Sequence, residues 1–199
     1  MARYPSSPQF SRAEFRQARM KPSGDDVDWA FSTRKIDARL IDACDRDLYR
    51  ALYMDRYVMR HIGPTLRSDE VDTMFWKVLR WNSEVPMRAR YWCLSEKQHG
   101  VSVGMSALVQ HSGGYEIGLM ILPEWQGTGL GLLVTRSIRD MSMMGRWGDR
   151  IQTLTLQPRI GNVASRGLCE KLGFRLIDED DQRVFWRLTR NEWRQNHYE

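Results

Sequence analysis

The chain has 199 residues, 42% of them apolar, with a formal net charge of +5, enough for one ordinary domain with a real core. No apolar run approaches a membrane span and the opening residues lack the apolar stretch of a secretory signal. The cysteines Cys44, Cys93 and Cys169 are odd in number and far apart, so neither a disulfide framework nor a zinc site is expected; no metal is expected, and a reducing cytoplasm is the natural compartment. The basic residues are scattered with no polybasic block, so the charge reads as a solvated basic surface rather than a nucleic-acid face.

Residues 1–34 are rich in Pro, Ser, Arg and Gln and read as an N-terminal arm, partly disordered or strap-like, with one short basic helix over SRAEFRQARM. Residues 35–199 read as the folded domain. Ile36, Ala38 and Leu40 alternate as a first strand does. Asp45 is placed to cap a helix through Leu48, Leu52 and Tyr53. After a Gly-Pro break, Ser68 is placed to cap a second amphipathic helix carrying Met74, Phe75, Val78 and Leu79. Three strands then follow in succession, around Tyr91 and Cys93, over 101–110 and over 115–122, with turns at Gly100 and at Ser112-Gly113-Gly114. A glycine-rich turn leads into a helix over 129–144. Ile151, Leu154 and Leu156 mark another strand, and NVASRGLCEKLGF a helix ended by Gly173 at the C′ position. FRLID and RVFWRLT finish the sheet. The order implies a mixed α/β (α+β-like) fold, a twisted central sheet of six to seven strands flanked by about four helices, not a doubly wound one.

The turn Gln126-Gly127-Thr128-Gly129-Leu130-Gly131 is the feature that asks for a ligand. A dinucleotide fingerprint needs its glycines in the first strand-to-helix turn, and a phosphate-binding P-loop needs Lys and Ser or Thr after the last glycine, where Leu132 and Leu133 stand. Neither reading holds. What the residues do offer is a flexible backbone at a helix N-terminus, whose free N–H groups and dipole favour an anion such as a pyrophosphate. An ordinary tight turn is the plain alternative for this stretch alone.

The second motif decides between them. Gln126, Gly129 and Gly131 match the Gln/Arg-x-x-Gly-x-Gly/Ala loop of the GNAT superfamily of acyl-CoA-dependent N-acyltransferases. Asn162, Ser165 and Leu172-Gly173-Phe174 match its following Asn-x-x-Ala/Ser and Leu-Gly-Phe helix, in the right order. The resemblance spans about Lys35 to Thr189. Within the superfamily, ARLIDACDRDLYRALYMDRYVMRHIGP, YEIGLMILPEWQGTGLG and NVASRGLCEKLGFR resemble the RimJ/RimL-type, ribosomal-protein N-terminal acetyltransferases.

The resemblance implies acetyl-CoA as acyl donor and direct transfer to a primary amine in a ternary complex, without a covalent enzyme intermediate. It implies that residues 126–131 (Gln126, Gly127, Thr128, Gly129, Leu130, Gly131) hold the pyrophosphate and that the backbone of Ile121 and Leu122 pairs with the pantetheine arm. Asn162 is implied to hydrogen-bond that arm, with Ser165 nearby. Glu116, matching the family's Glu-Ile-Gly segment, is the candidate base. Many relatives carry Tyr seven residues after the Asn; here that position is Cys169, which leaves Ser165, water or the thiol itself as the acid. His61, His99 and His111 lack metal-ligand spacing and read as surface or turn residues. Tyr115, Trp125 and Trp147 read as core packing first and pocket walls second, and Arg56 and Arg60 as possible grips on an acidic substrate group. Branch resemblance points to a protein or peptide α-amine as acceptor. Other readings are a small-molecule amine, as in resistance or secondary-metabolite tailoring, a non-catalytic acyl-CoA-binding module, or an aminoacyl-tRNA. No membrane partner is expected, and the assembly is read as monomer or homodimer.

Overall fold

The computed structural model describes residues 27–198; the short basic helix expected near the N-terminus lies outside them. The strands are β1 (Phe31–Ser32), β2 (Ile36–Leu40), β3 (Ala89–Glu96), β4 (Ser102–His111), β5 (Gly114–Ile121), β6 (Thr153–Leu156), β7 (Arg175–Glu179) and β8 (Val184–Thr189). The helices are α1 (Arg46–Met54), α2 (Arg56–Met59), α3 (Ser68–Trp81), α4 (Leu130–Met143), α5 (Val163–Lys171) and α6 (Arg190–Tyr198). The fold class is the expected mixed α/β one, with eight strands among the described residues rather than six to seven and six helices rather than about four. The additions are the two-residue strand β1, the single-turn helix α2 and the terminal helix α6. All are short or polar segments, whose elements arise from packing against the domain rather than from a hydrophobic period of their own.

The strands form one sheet in the order β1-β2-β3-β4-β5-β6-β8-β7. Every pair is antiparallel except β5–β6, which is parallel. Because successive strand residues face opposite sides, the sheet buries two apolar clusters. On one face, Ile36, Trp92, Ile117, Leu154 and Leu188 pack with Val134 and Ile138 of α4, Cys169 of α5 and Trp193 of α6. On the other, Cys93, Met105 and Met120 pack with Tyr49 and Leu52 of α1 and Val71, Phe75 and Val78 of α3. No residue of β6, β7 or β8 enters this second cluster. Helices therefore cover that face only over the β2–β5 half.

Two caps differ from expectation. Asp42 caps the turn ahead of α1, its carboxylate accepting from the Cys44 N–H at 2.8 Å. Asp45 does stand at the N-cap of α1, but its side chain makes no capping bond there; 4% exposed, it accepts two hydrogen bonds from Arg39 at 2.7 Å each and one from the Asp42 N–H at 2.8 Å. Ser68 lies inside α3, and it is Glu70 that reaches back to the Arg67 N–H at 2.8 Å. At the far end of α5 the Gly173 N–H bonds Glu170 C=O and the Phe174 N–H bonds Cys169 C=O, a Schellman closure that matches Gly173 as C′.

Among the described residues ahead of Lys35, Phe31 is buried in the core and Trp29 packs against it. β1 pairs with β2, and Trp29 stacks on Trp147 with ring centroids 5.3 Å apart while its carbonyl accepts from Trp92 Nε1 at 2.7 Å.

Candidate active site

The parallel pair β5–β6 is short. Tyr115 pairs with Leu154 and Glu116 with Thr155, after which no further pairing joins the two strands. β5 runs on to Ile121, leaving the rest of its edge open toward α5. The Leu122 N–H donates to Val103 C=O at 2.9 Å, so the alternation of an antiparallel ladder turns the main-chain groups of Leu119 and Ile121 toward the open edge. Leu122 thus faces β4 through its N–H, and Ile121 faces the opening. The Ile121 carbonyl accepts from Gln126 Nε2 at 2.8 Å. Gln126 therefore ties the loop to β5 through its side chain.

The loop itself is built for an anion. After the single turn Pro123–Trp125, Gly127 and Gly129 adopt φ of 75° and 83°, which other residues rarely adopt. Gly129 is the N-cap of α4 and has no side-chain cap, and the first turn holds no acidic residue. The N–H groups at the start of α4 thus face out with the positive end of the dipole. The Thr128 hydroxyl donates to Trp125 C=O at 2.7 Å and holds the turn. Gly131 sits where the elements meet: a Cβ there would make ordinary contact with Leu119 Cδ2 at 3.4 Å and Leu168 Cδ1 at 3.7 Å. β5, α4 and α5 thus converge on one apolar floor. Beside the loop, a cleft of about 470 Å³ is lined by Arg34, Lys35 and Lys97, with one carboxylate, Glu96, and with Gln98, Trp125, Thr128 and Leu130.

On α5, Asn162 is the N-cap, its Oδ1 accepting from the Ser165 N–H at 3.1 Å. Its side-chain amide is left to donate. Ser165 is half-buried. Cys169 is fully buried in the first cluster, and burial pushes its thiol up to about 12, so it stays protonated and packs as an apolar residue. These features suit acetyl-CoA: acid-free backbone donors for the pyrophosphate, cations beside them for phosphate, and a narrow apolar slot with an open strand edge for the arm.

Across the sheet, Glu116 shares a face with Met120 rather than with its buried neighbours Tyr115 and Ile117. It lies at the border between the helix-covered half and the bare half. Burial raises its carboxyl above the usual carboxylate range, opposed in part by His111 and Arg183. A raised carboxyl is suited to proton transfer near neutral pH. Tyr53 and Tyr91 stand close: burial raises both phenols, and Tyr53 and Glu116 raise Tyr91 further. Both phenols therefore stay protonated and can donate.

Sequence reading missed part of this wall. His111 is the last residue of β4, half-buried. Its Nδ1 accepts from the Gly113 N–H at 3.1 Å and its Nε2 lies 2.9 Å from Thr155 Oγ1. His111 also lines a cleft of about 580 Å³ with Glu84, Val85, Pro86, Arg88 and Gln110. The alternation in TLTLQPR was the available signal: Thr155, Gln157 and Arg159 lie on the side opposite the buried leucine Leu154. Trp147, read as core or pocket, is core; Trp125 borders the loop cleft. Among the described residues no group of His, Cys, Asp and Glu is arranged to hold a metal ion.

The comparisons agree with this geometry. The family model for an acetyltransferase (GNAT) domain matches residues 37–175. No curated protein matches the sequence. Among solved structures, a GNAT-family acetyltransferase from Bacillus anthracis superposes with a TM-score of 0.67 at 14% identity, covering 81% of this chain and 99% of that one. Spermidine N-acetyltransferase from Vibrio cholerae, in complex with CoA and spermine, gives 0.67 at 17% identity over 81% of this chain and 99% of that one. RimL, a ribosomal L7/L12 alpha-N-protein acetyltransferase in complex with coenzyme A, gives 0.65 at 11% identity over 79% and 95%. An open mixed sheet splayed at its parallel pair, with an uncapped glycine loop at the mouth, is thus an acyltransferase architecture. The chain belongs to the GNAT acetyltransferase family, and acetyl-CoA is its acyl donor.

Proposed function

We propose that the protein transfers an acetyl group from acetyl-CoA to the α-amine of a peptide or protein, in the manner of the RimJ/RimL branch. The observation that carries this reading is Glu116. It is a half-buried carboxyl, raised by desolvation, on the strand that leads into the loop, at the edge of the uncovered half of the sheet where an acceptor has room to approach.

In this reading residues 126–131 hold the pyrophosphate through their N–H groups, and the open edge at Leu119 and Ile121 pairs with the pantetheine arm. The amide of Asn162 donates to the arm. Glu116 takes the proton of the attacking amine, directly or through a water. Nitrogen bonds to the carbonyl carbon, the carbon–sulfur bond breaks, and the sulfur leaves as a thiolate that needs one proton. Cys169 is buried away from the bare face, which favours the Ser165 hydroxyl or a water as its source. Holding both substrates together supplies much of the acceleration, so no covalent enzyme intermediate is required.

The three free thiols, one of them exposed, suit a reducing cytoplasm. No helix among the described residues is long and apolar enough to cross a membrane. Intact-mass measurement after incubation with acetyl-CoA and a panel of peptides and small amines tests the reading. A gain of one acetyl on peptide α-amines is the expected result. Acetylation confined to small amines would move the protein to the small-molecule group, and CoA binding with no product, unchanged in Glu116→Gln, would make it a binding module.

A further inference from the structure

The bare half of the sheet carries a charge pattern that speaks to the acceptor, given the reading above that Glu116 marks the acceptor side. Register sets which residues share its face. Glu116 pairs with Thr155, Thr155 pairs with Arg187, and Arg159 forms a bridge with Arg183. Two-residue alternation then places Thr155, Arg159 and Arg183 on the Glu116 side. Arg183 is near enough to pull the Glu116 carboxyl down against its burial. From the helix side, Arg60 and His61 follow α2. Burial, Arg60 and Arg159 together hold the His61 ring below its usual value, so Arg159, which bridges Arg183 on the sheet, also lies within electrostatic reach of this wall.

None of Arg60, Arg159 and Arg183 has a carboxylate ion pair among the described residues, although ten such contacts occur elsewhere. Arg60 lies 3.4 Å over the Tyr57 ring. Arg183 gives one N–H to Gln157 C=O at 2.8 Å, and the Asp180 carboxylate beside it is taken by the main-chain N–H groups of Gln182 and Arg183. Arg159 Nε is buried with no hydrogen-bond partner. Desolvated guanidinium donors without an anion are costly, and like charges converging from two walls repel. A ligand with anionic oxygens relieves both, and guanidinium forks bind carboxylate or phosphate in paired hydrogen bonds. A polyamine would add cation to cation.

We propose that the acceptor carries an anionic oxygen group, a carboxylate or a phosphate, close to its reacting amine, and that Arg159 and Arg183 seat this group beside Glu116.

The test is steady-state acetylation of matched short peptides whose second and third residues are Ala, Asp, phosphoserine or Lys, with spermidine alongside. The same panel is run on Arg159→Gln and Arg183→Gln, and binding of the Asp peptide to the CoA-loaded protein is measured separately. Acidic acceptors should exceed the Ala peptide by at least about tenfold in kcat/KM, through KM, as charge-assisted hydrogen bonds are worth. Either substitution should erase that margin while leaving CoA affinity unchanged, and Arg183→Gln should also shift the acid limb of the pH profile upward for every peptide, since Arg183 holds the Glu116 carboxyl down. The Asp and phosphoserine arms tell carboxylate from phosphate. Preference for Lys or spermidine, or a margin that survives both substitutions, overturns the proposal. If nothing is acetylated but the Asp peptide binds and loses affinity in either variant, the anionic seat stands and acetyl transfer to peptides falls. If there is neither turnover nor such binding, the seat falls too.

Discussion

Glu116 couples activity and stability with opposite preferences for pH. Its carboxyl is raised by burial, so the folded chain keeps that proton to a higher pH than the unfolded chain does. Below the unfolded value both states hold the proton and burial carries no penalty. Stability is then lost as pH rises from the unfolded value through the folded one. Activity runs the other way, since a base must have lost its proton. Glu116→Gln should lower kcat/KM by about two to four orders of magnitude, the range for a lost general base, and abolish the acid limb of the pH profile. The same variant should melt at the wild-type temperature in acid and at a higher one above the folded carboxyl's range. A variant that melts lower at neutral pH would mean that Glu116 is a structural residue with a favourable buried partner. The role of Glu116 could be proposed from its motif; its burial could not, because the neighbours that desolvate it come from other strands and helices.

At the scale of elements, the loop and α4 work because three segments converge on Gly131. A Cβ at Gly131 would just meet Leu119 and Leu168, at 3.4 and 3.7 Å, so the branched methyls of Gly131→Val, which reach beyond it, would crowd them. It should weaken CoA binding by about tenfold or more, each tenfold being about 1.4 kcal/mol, with unchanged circular dichroism; calorimetric titration checks this. The junction of β2 with α1 rests on Asp45. Asp45→Ala removes three charge-assisted hydrogen bonds from a buried carboxylate. Arg39 is 48% exposed and can return to water, so the expected loss is about 2 kcal/mol rather than that of a fully buried pair, seen in chemical denaturation. The alternating and helical periods of α1, α3, α4 and the long strands were plain in the sequence. β1 and α2 were not, being two and four residues long, too short for any period to register.

Over the whole molecule, the segment before Lys35 is part of what holds the first core together. Trp147 stacks on Trp29 and Trp92 with centroids 5.3 and 5.2 Å apart, Trp29 and Trp92 meet tilted at 6.4 Å, and the Arg90 guanidinium lies 4.7 Å over Trp29. Trp29→Ala should therefore cost about 2 kcal/mol, less than a fully buried tryptophan because its ring is half exposed, measurable as a lowered Tm with CoA affinity retained. The sequence by itself determined the mixed α/β class, the order of most elements, and the loop and Asn162 helix that mark an acyl-CoA site. Those signals are local: a period of two or of 3.6, a glycine at a helix start, two motifs in fixed order. Only the tertiary structure decided that β5 and β6 part after Glu116, that Gln126 ties the loop to Ile121, and that His111, Arg159 and Arg183 gather on the Glu116 face. Strand register and the uncovered half of a sheet are relations between segments far apart in the chain, and no local pattern encodes them.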